Sequence, residues 1–309
     1  MSKFQITITL ALALATIFSI SVQAASIDRS GASGQISAAS LSDNLKAQIR
    51  SGLNILHLEP ASQDGFVETS EESMLATAST ISSSDIVLDV SEGSKRHIPG
   101  TINISYVKFI KDSKLLPVPD VAKILGDAGI TRNDSIVVYG ECLPCGGGPA
   151  ASTYIYWMMK YLGQDRVRVL EKGDKDLSGD ELPKGTPNLL PRAVYVPRLQ
   201  PEVLATFEEA DNLSVQVVDA RFPDEYNSSH IPGAINLPYE QVLDGNRTRP
   251  VDELEKVFSS INLTRDKPVV VYTDTGIKAS VVWFALELLG YDAKLYSVQA
   301  WNEHMKSVG

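Results

Sequence analysis

His97-Ile98-Pro99-Gly100 and His230-Ile231-Pro232-Gly233 are one phrase written twice, 230 − 97 = 133 positions apart. The apolar run Ile136-Val137-Val138-Tyr139 recurs as Val269-Val270-Val271-Tyr272, and Thr131-Arg132 recurs as Thr264-Arg265, both at the same offset of 133. Three matches at one spacing mean one fold unit encoded twice. Around these anchors, 86–90, 101–104, 136–139 and 167–170 read as short buried strands, and 121–125 and 150–162 as helices. The second half repeats the order, with strands over 215–219, 234–237, 269–272 and 293–296 and helices over 251–258 and 279–289. Short apolar, β-branched runs alternating with helices predict a parallel sheet covered by helices on both faces. The expected architecture is therefore two such α/β domains in tandem, over 76–180 and 199–309. A connection over 181–198 falls in a stretch rich in Gly, Pro and charge.

The remaining N-terminal part reads differently. Residues 1–24 have the pattern of a secretory signal: Lys3, an apolar stretch over 6–20, then Val22-Gln23-Ala24 before a cleavage point. The stretch falls short of the roughly 20 apolar residues that span a bilayer. Cleavage, export and no stable membrane span are expected. Residues 25–75 form an extension or linker in which 41–56 has helical spacing, while 69–84 reads as a linker or a polar helix. A formal net charge of −10 over 309 residues argues against nucleic acid as partner.

The two copies part at the loop after their third strand. Tyr139 to Gly163 spans 24 positions and Tyr272 to Gly290 spans 18, so the first loop is six residues longer. Both cysteines of the chain lie in the enlarged loop, as Cys142-Leu143-Pro144-Cys145, followed by Gly146, Gly147, Gly148 and Pro149. A cysteine ahead of a helix is held as thiolate by the backbone amides and the positive end of the helix dipole. Glycines let such amides turn toward an anion. Cys145 is the preferred nucleophile and Cys142 the second candidate, with Gly146, Gly147, Gly148 and Ala150 as the anion cradle. The spacing also suits a disulfide or a redox pair. Two cysteines and four histidines in the chain do not make a zinc site, so neither metal nor cofactor is expected.

The second half resembles the rhodanese family of sulfurtransferases in its two-domain form, through Asp219-Ala220-Arg221, Glu225-Tyr226 and the run from His230 to Pro238. The first half keeps Asp89, His97 to Gly100 and Ile102-Asn103, with Ser91 where the family usually has Arg. The resemblance implies two tandem rhodanese-like domains and a persulfide-carrying cysteine in the loop after a central strand. Two-domain members usually carry it in the second domain. Here that position is Thr273, which cannot hold a persulfide, so the second domain reads as an inert frame and the chemistry moves to the first. The resemblance further implies a small sulfur-containing anion such as thiosulfate as donor, and cyanide, a thiol or a protein cysteine as acceptor. Lys278 and Arg221 are the candidate cations of the cleft, while Arg166 and Arg168 read as solvated surface charges. No arginine follows either cysteine at the spacing a phosphatase of this fold needs: Gly148 and Ala151 stand there. His97, His230, Asp89 and Asp219 occur in both copies and read as structural. A non-catalytic binding module and a C-x-x-C thiol-redox or sulfur-relay protein are the alternatives.

Overall fold

The computed structural model describes residues 74–92, 100–145, 148–171 and 188–308. The expected signal, the helical spacing over 41–56, the first His-Ile-Pro and both Gly146 and Gly147 lie outside the described residues. The first half runs β1 (Leu75–Ala76), β2 (Asp85–Asp89), β3 (Ile102–Asn103), a hairpin of β4 (Ile110–Lys111) and β5 (Lys114–Leu115), α1 (Val118–Asp127), β6 (Ser135–Tyr139), α2 (Ala150–Tyr161) and β7 (Val167–Leu170). The second runs α3 (Phe207–Ala210), β8 (Gln216–Asp219), α4 (Pro223–Ser228), β9 (Ile235–Asn236), a hairpin of β10 (Leu243–Asp244) and β11 (Arg247–Thr248), α5 (Val251–Ser260), β12 (Val269–Thr273), α6 (Ala279–Leu288), β13 (Ala293–Ser297) and α7 (Val298–Val308).

Each half is built on a parallel sheet, in the order β1-β7-β6-β2-β3 and then β13-β12-β8-β9. The equivalent central strands are β6 and β12. Ile136, Val137 and Val138, like Val269, Val270 and Val271, are fully buried, because both sheet faces are covered. The repeat survives in detail: both hairpins start 133 residues apart (243 − 110), as do α1 and α5 (251 − 118).

The strand and helix readings hold to within a few residues where they were made; the hairpins β4–β5 and β10–β11 were not expected, and three further departures stand beside them. Leu75–Ala76, in a stretch read as linker or polar helix, is an edge strand pairing with Val169 and Leu170. The short helices α3 and α4 and the C-terminal α7 were not expected. The described part of the connection, 188–198, is strapped onto the first half. Ala193 N donates to Gly126 O at 2.9 Å, Arg198 N to Leu162 O at 2.9 Å, and the buried Tyr195 hydroxyl to Gln164 Oε1 at 3.0 Å.

The halves meet through α2 and α6. Every residue from Ala150 to Met159 is buried, the pattern of a helix enclosed on all sides. Tyr156 packs against Trp283 at 6.1 Å and edge-on against Phe284 at 5.1 Å. Thr153 Oγ1 and Ser280 Oγ lie 2.8 Å apart. Their separation, 280 − 153 = 127, is also that of the helix-ending glycines, 290 − 163. Equivalent residues of a repeat touching each other mark an approximate two-fold axis. That axis sets the cysteine loop of the first half against the β10–β11 hairpin of the second.

Candidate active site

The site grows from the end of β6. Gly140 turns the chain away with φ +149°, and a Cβ there would lie 2.7 Å from Ser91 N and 2.9 Å from Val90 Cγ2. Only glycine passes so close to the end of β2. The chain then makes one tight turn over Leu143–Cys145, in which Cys145 N donates to Cys142 O at 3.0 Å. This turn brings the two Cα atoms to 5.2 Å, and the two cysteines are joined as a disulfide.

The cysteines differ in surroundings. Cys142 is fully buried, with the Tyr106 hydroxyl 3.4 Å from its sulfur. Cys145 is half-buried and lines a cavity of about 300 Å³ between the halves, shared with Gly148, Tyr239, Glu240, Leu243, Gly245 and Asn246. Tyr239 donates its hydroxyl to Cys145 O at 2.8 Å, so the second half holds the loop directly. Tyr106 and Tyr239 occupy the same position of the repeat, 239 − 106 = 133. One tyrosine therefore addresses each cysteine, from its own half and from the other. Burial raises the pKa of both hydroxyls, reinforced by Glu92 at Tyr106 and by Glu240 at Tyr239. Both remain protonated donors at neutral pH.

Gly148 lines the Cys145 cavity in a left-handed conformation (φ +76°), and Ala150 opens α2 beyond Pro149. The helix has no side-chain cap at its start. First-turn amides have no partner inside their own helix, so the chain places positive backbone ends just beyond the loop.

Of the two candidate cations, Lys278 stands on a residue that lines the cavity, whereas Arg221 is taken up by partners of its own half. Lys278 Nζ stands 5.1 Å from the ring centres of both Tyr239 and Phe222. It does not itself line the cavity, but it sits on the residue that grips Cys145. Arg221 is a correction. Its guanidinium binds Asp219 through Nε and Nη2 and donates to Ser229 O at 2.7 Å, with Asp274 3.5 Å away. Its pKa is raised above its ordinary value, chiefly by the hydrogen bonds to Asp219. Together with the Tyr272 hydroxyl, which donates to Asp219 at 2.7 Å, it ties the end of β8 to the end of β12.

Arg168 is a second correction: it is no solvated charge but forms a 2.8 Å ion pair with the nearly buried Asp85. The structural readings stand for His230, whose Nδ1 is 2.9 Å from Tyr226 O, and for Asp219. Asp89 Oδ1 accepts from Ser91 N at 2.9 Å, repeating the bond from Arg221 N to Asp219. Thr273 is buried and accepts from Gly276 N at 3.2 Å, closing the shorter loop of the second half. The two tyrosines were missed by sequence reasoning, although their shared offset of 133 was available as a signal.

Residues 201–304 match the family described as the rhodanese-like domain. That match covers the second half of the chain, which carries a rhodanese-like domain. It is 28% identical over 238 residues to a protein of Mycobacterium leprae named "Putative thiosulfate sulfurtransferase", across 69% of this chain and 84% of that one. A protein of Haloferax volcanii with the same name is 26% identical, across 73% of this chain and 86% of its own. Among solved structures, the fold is similar to that of the 3-mercaptopyruvate sulfotransferase SseA from Escherichia coli, with a TM-score of 0.60 at 23% identity, over 69% of this chain and 92% of that one.

Proposed function

We propose that this chain, with its cysteine pair reduced, moves sulfane sulfur from a small anion such as thiosulfate to a thiophilic acceptor through a persulfide on Cys145. The observation carrying this reading is that Cys145 alone of the two cysteines lines the cavity between the halves, in the loop leading to the uncapped start of α2. The Cys145 thiolate attacks the outer sulfur of thiosulfate; sulfite leaves with the bonding pair, and the persulfide remains. Amides around Gly148 and Ala150, with Gly146 and Gly147, stabilise the anions on either side of that step. The relatives named for thiosulfate sulfurtransfer support this choice of donor. The second half supplies the Tyr239 grip and Lys278 rather than a nucleophile. Export through a signal over 1–24 belongs to the same reading, and a disulfide is at home outside the cytosol.

The bonded state favours one other reading, in which the pair is only a structural bridge. Thiosulfate:cyanide sulfurtransfer by the reduced chain separates the two. Cys145→Ala is expected to abolish turnover and Cys142→Ala to keep it. Equal turnover in both variants and the unsubstituted chain removes the enzyme reading, as does a chain equally active before and after reduction.

A further inference from the structure

Cys142 is badly placed to meet a donor and well placed to meet Cys145. Its sulfur is sealed from solvent, lies against the Tyr106 hydroxyl and is within bonding reach of the Cys145 sulfur. Cys145 therefore has a buried sulfur on one side and the cavity on the other. A sulfur atom loaded from the cavity extends outward from Cys145. Its bond to Cys145 is then open to attack from the inner side, where Cys142 stands.

We propose that Cys142 is the resolving thiol of this site: it discharges the Cys145 persulfide, releases hydrogen sulfide and closes the disulfide. The inference rests on the reading that Cys145 is the sulfur carrier. The Cys142 sulfur attacks the inner sulfur of Cys145–S–SH, forming the Cys142–Cys145 bond and breaking the Cys145–sulfane bond. The bonding pair leaves with the outer sulfur, and the Cys142 proton joins it as hydrogen sulfide. The two cysteine sulfurs are oxidised and the sulfane sulfur is reduced, so no outside oxidant is needed. A second round needs a small dithiol or a dithiol protein, which becomes a disulfide as it restores both thiols. The co-substrate class of this site is thus a dithiol reductant. Summed over a cycle, thiosulfate and a dithiol give sulfite, hydrogen sulfide and a disulfide.

Tyr106 is the positioning residue of this step. Its hydroxyl, kept protonated by burial, is placed to donate to the Cys142 sulfur, and a hydrogen bond to the charged form of a group favours that form. The matching Tyr239 holds Cys145 by its backbone and leaves that sulfur free to be loaded. The second half has no counterpart of the pair, since its shorter loop carries Thr273 and no cysteine.

The test is a single turnover of the full chain, reduced with dithiothreitol, desalted and given thiosulfate with no reductant present. Sulfite, sulfide, free thiols and the mass of the chain are followed together. The unsubstituted chain is expected to release one sulfite and one sulfide and to lose both thiols. Cys142→Ser is expected to release sulfite but no sulfide, and to keep one extra sulfur atom on Cys145 until cyanide is added. Tyr106→Phe is expected to load normally but discharge about tenfold more slowly at pH 7, with the midpoint of its pH profile moved upward. If the unsubstituted chain keeps its persulfide, or if Cys142→Ser releases sulfide at the same rate, the resolving role is overturned and the carrier role stands. If Cys145→Ser releases as much sulfite as the unsubstituted chain, the carrier role itself fails. Should Cys142→Ser not fold, the thiol count of the unsubstituted chain and the Tyr106→Phe rate still decide.

Discussion

Tyr239→Phe isolates the contribution of the second half to the site. The substitution keeps the buried ring, its edge contact with Phe222 and the face presented to Lys278, and deletes only the hydroxyl that donates to Cys145 O at 2.8 Å. A neutral hydrogen bond of this kind contributes about 1 kcal/mol net. Cys145 borders a cavity, so water can replace the lost donor and no buried carbonyl is left bare. The cost is then mainly positional: about 1 kcal/mol less in favour of the held loop, which converts to roughly a fivefold loss of productive geometry. The expected result is a drop of about fivefold in kcat/KM for thiosulfate:cyanide transfer by the reduced chain, with Tm lower by only about 2–4 °C. Both are read on the same preparation, by thiocyanate formation and thermal unfolding. An unchanged kcat/KM with an unchanged Tm refutes the idea that the second half positions the nucleophile. A loss of more than about a hundredfold at unchanged Tm refutes it in the other direction, because one positioning hydrogen bond does not supply that much.

Other outcomes follow from the same geometry. Lys278→Met should raise KM for thiosulfate several-fold with little change in kcat, and the difference should shrink at high salt; an unaltered KM at low salt removes Lys278 from the cleft. Burial pushes the Glu287 carboxyl up to about 7 from 4.5, with partial offset from the Ala293 amide and Lys160. Its proton is held by the folded chain and released by the unfolded one in that window, so native stability falls as pH rises from about 4.5 to about 7, by up to ~3 kcal/mol. Glu287→Gln should flatten this fall and unfold at a higher temperature than the unsubstituted chain at pH 8. Asp85 behaves oppositely. Burial would raise its carboxyl, but hydrogen bonds from Ser135, Ser82 and Arg168 outweigh it and hold it at about 2, below the ordinary 3.8. Its contribution of ~2 kcal/mol is present above the ordinary value and lost as pH falls through 2, so denaturant titrations of Asp85→Asn should show a deficit at pH 7 that closes toward pH 2.

The repeat, the strands and the enlarged cysteine loop were legible in the chain itself. A fixed offset needs no knowledge of contacts, and buried parallel strands declare themselves as short apolar runs. The cysteine loop stood out because it breaks the repeat by six residues at the point where the family places its nucleophile. The short strand Leu75–Ala76 was not legible. Two residues carry no periodicity, and its only reason to be a strand is the free edge of β7, some 90 residues away.

The partners of the site were decided by the tertiary structure. Arg221 and Lys278 look alike in sequence as cations of the second half, yet a buried carboxylate two residues away claims one and leaves the other on the face of Tyr239. Cys142 and Cys145 are three positions apart in one loop, yet one turn of chain buries the first and opens the second onto the cavity. Tyr106 and Tyr239 hold one place in the repeat, but the packing of α2 on α6 sends the first to a cysteine of its own half and the second to a cysteine 94 residues away. Sequence pattern records the environment a residue needs, because burial is imposed locally and repeats along the chain. It does not record which distant group fills that environment, because that choice is made only when two folded surfaces close on each other.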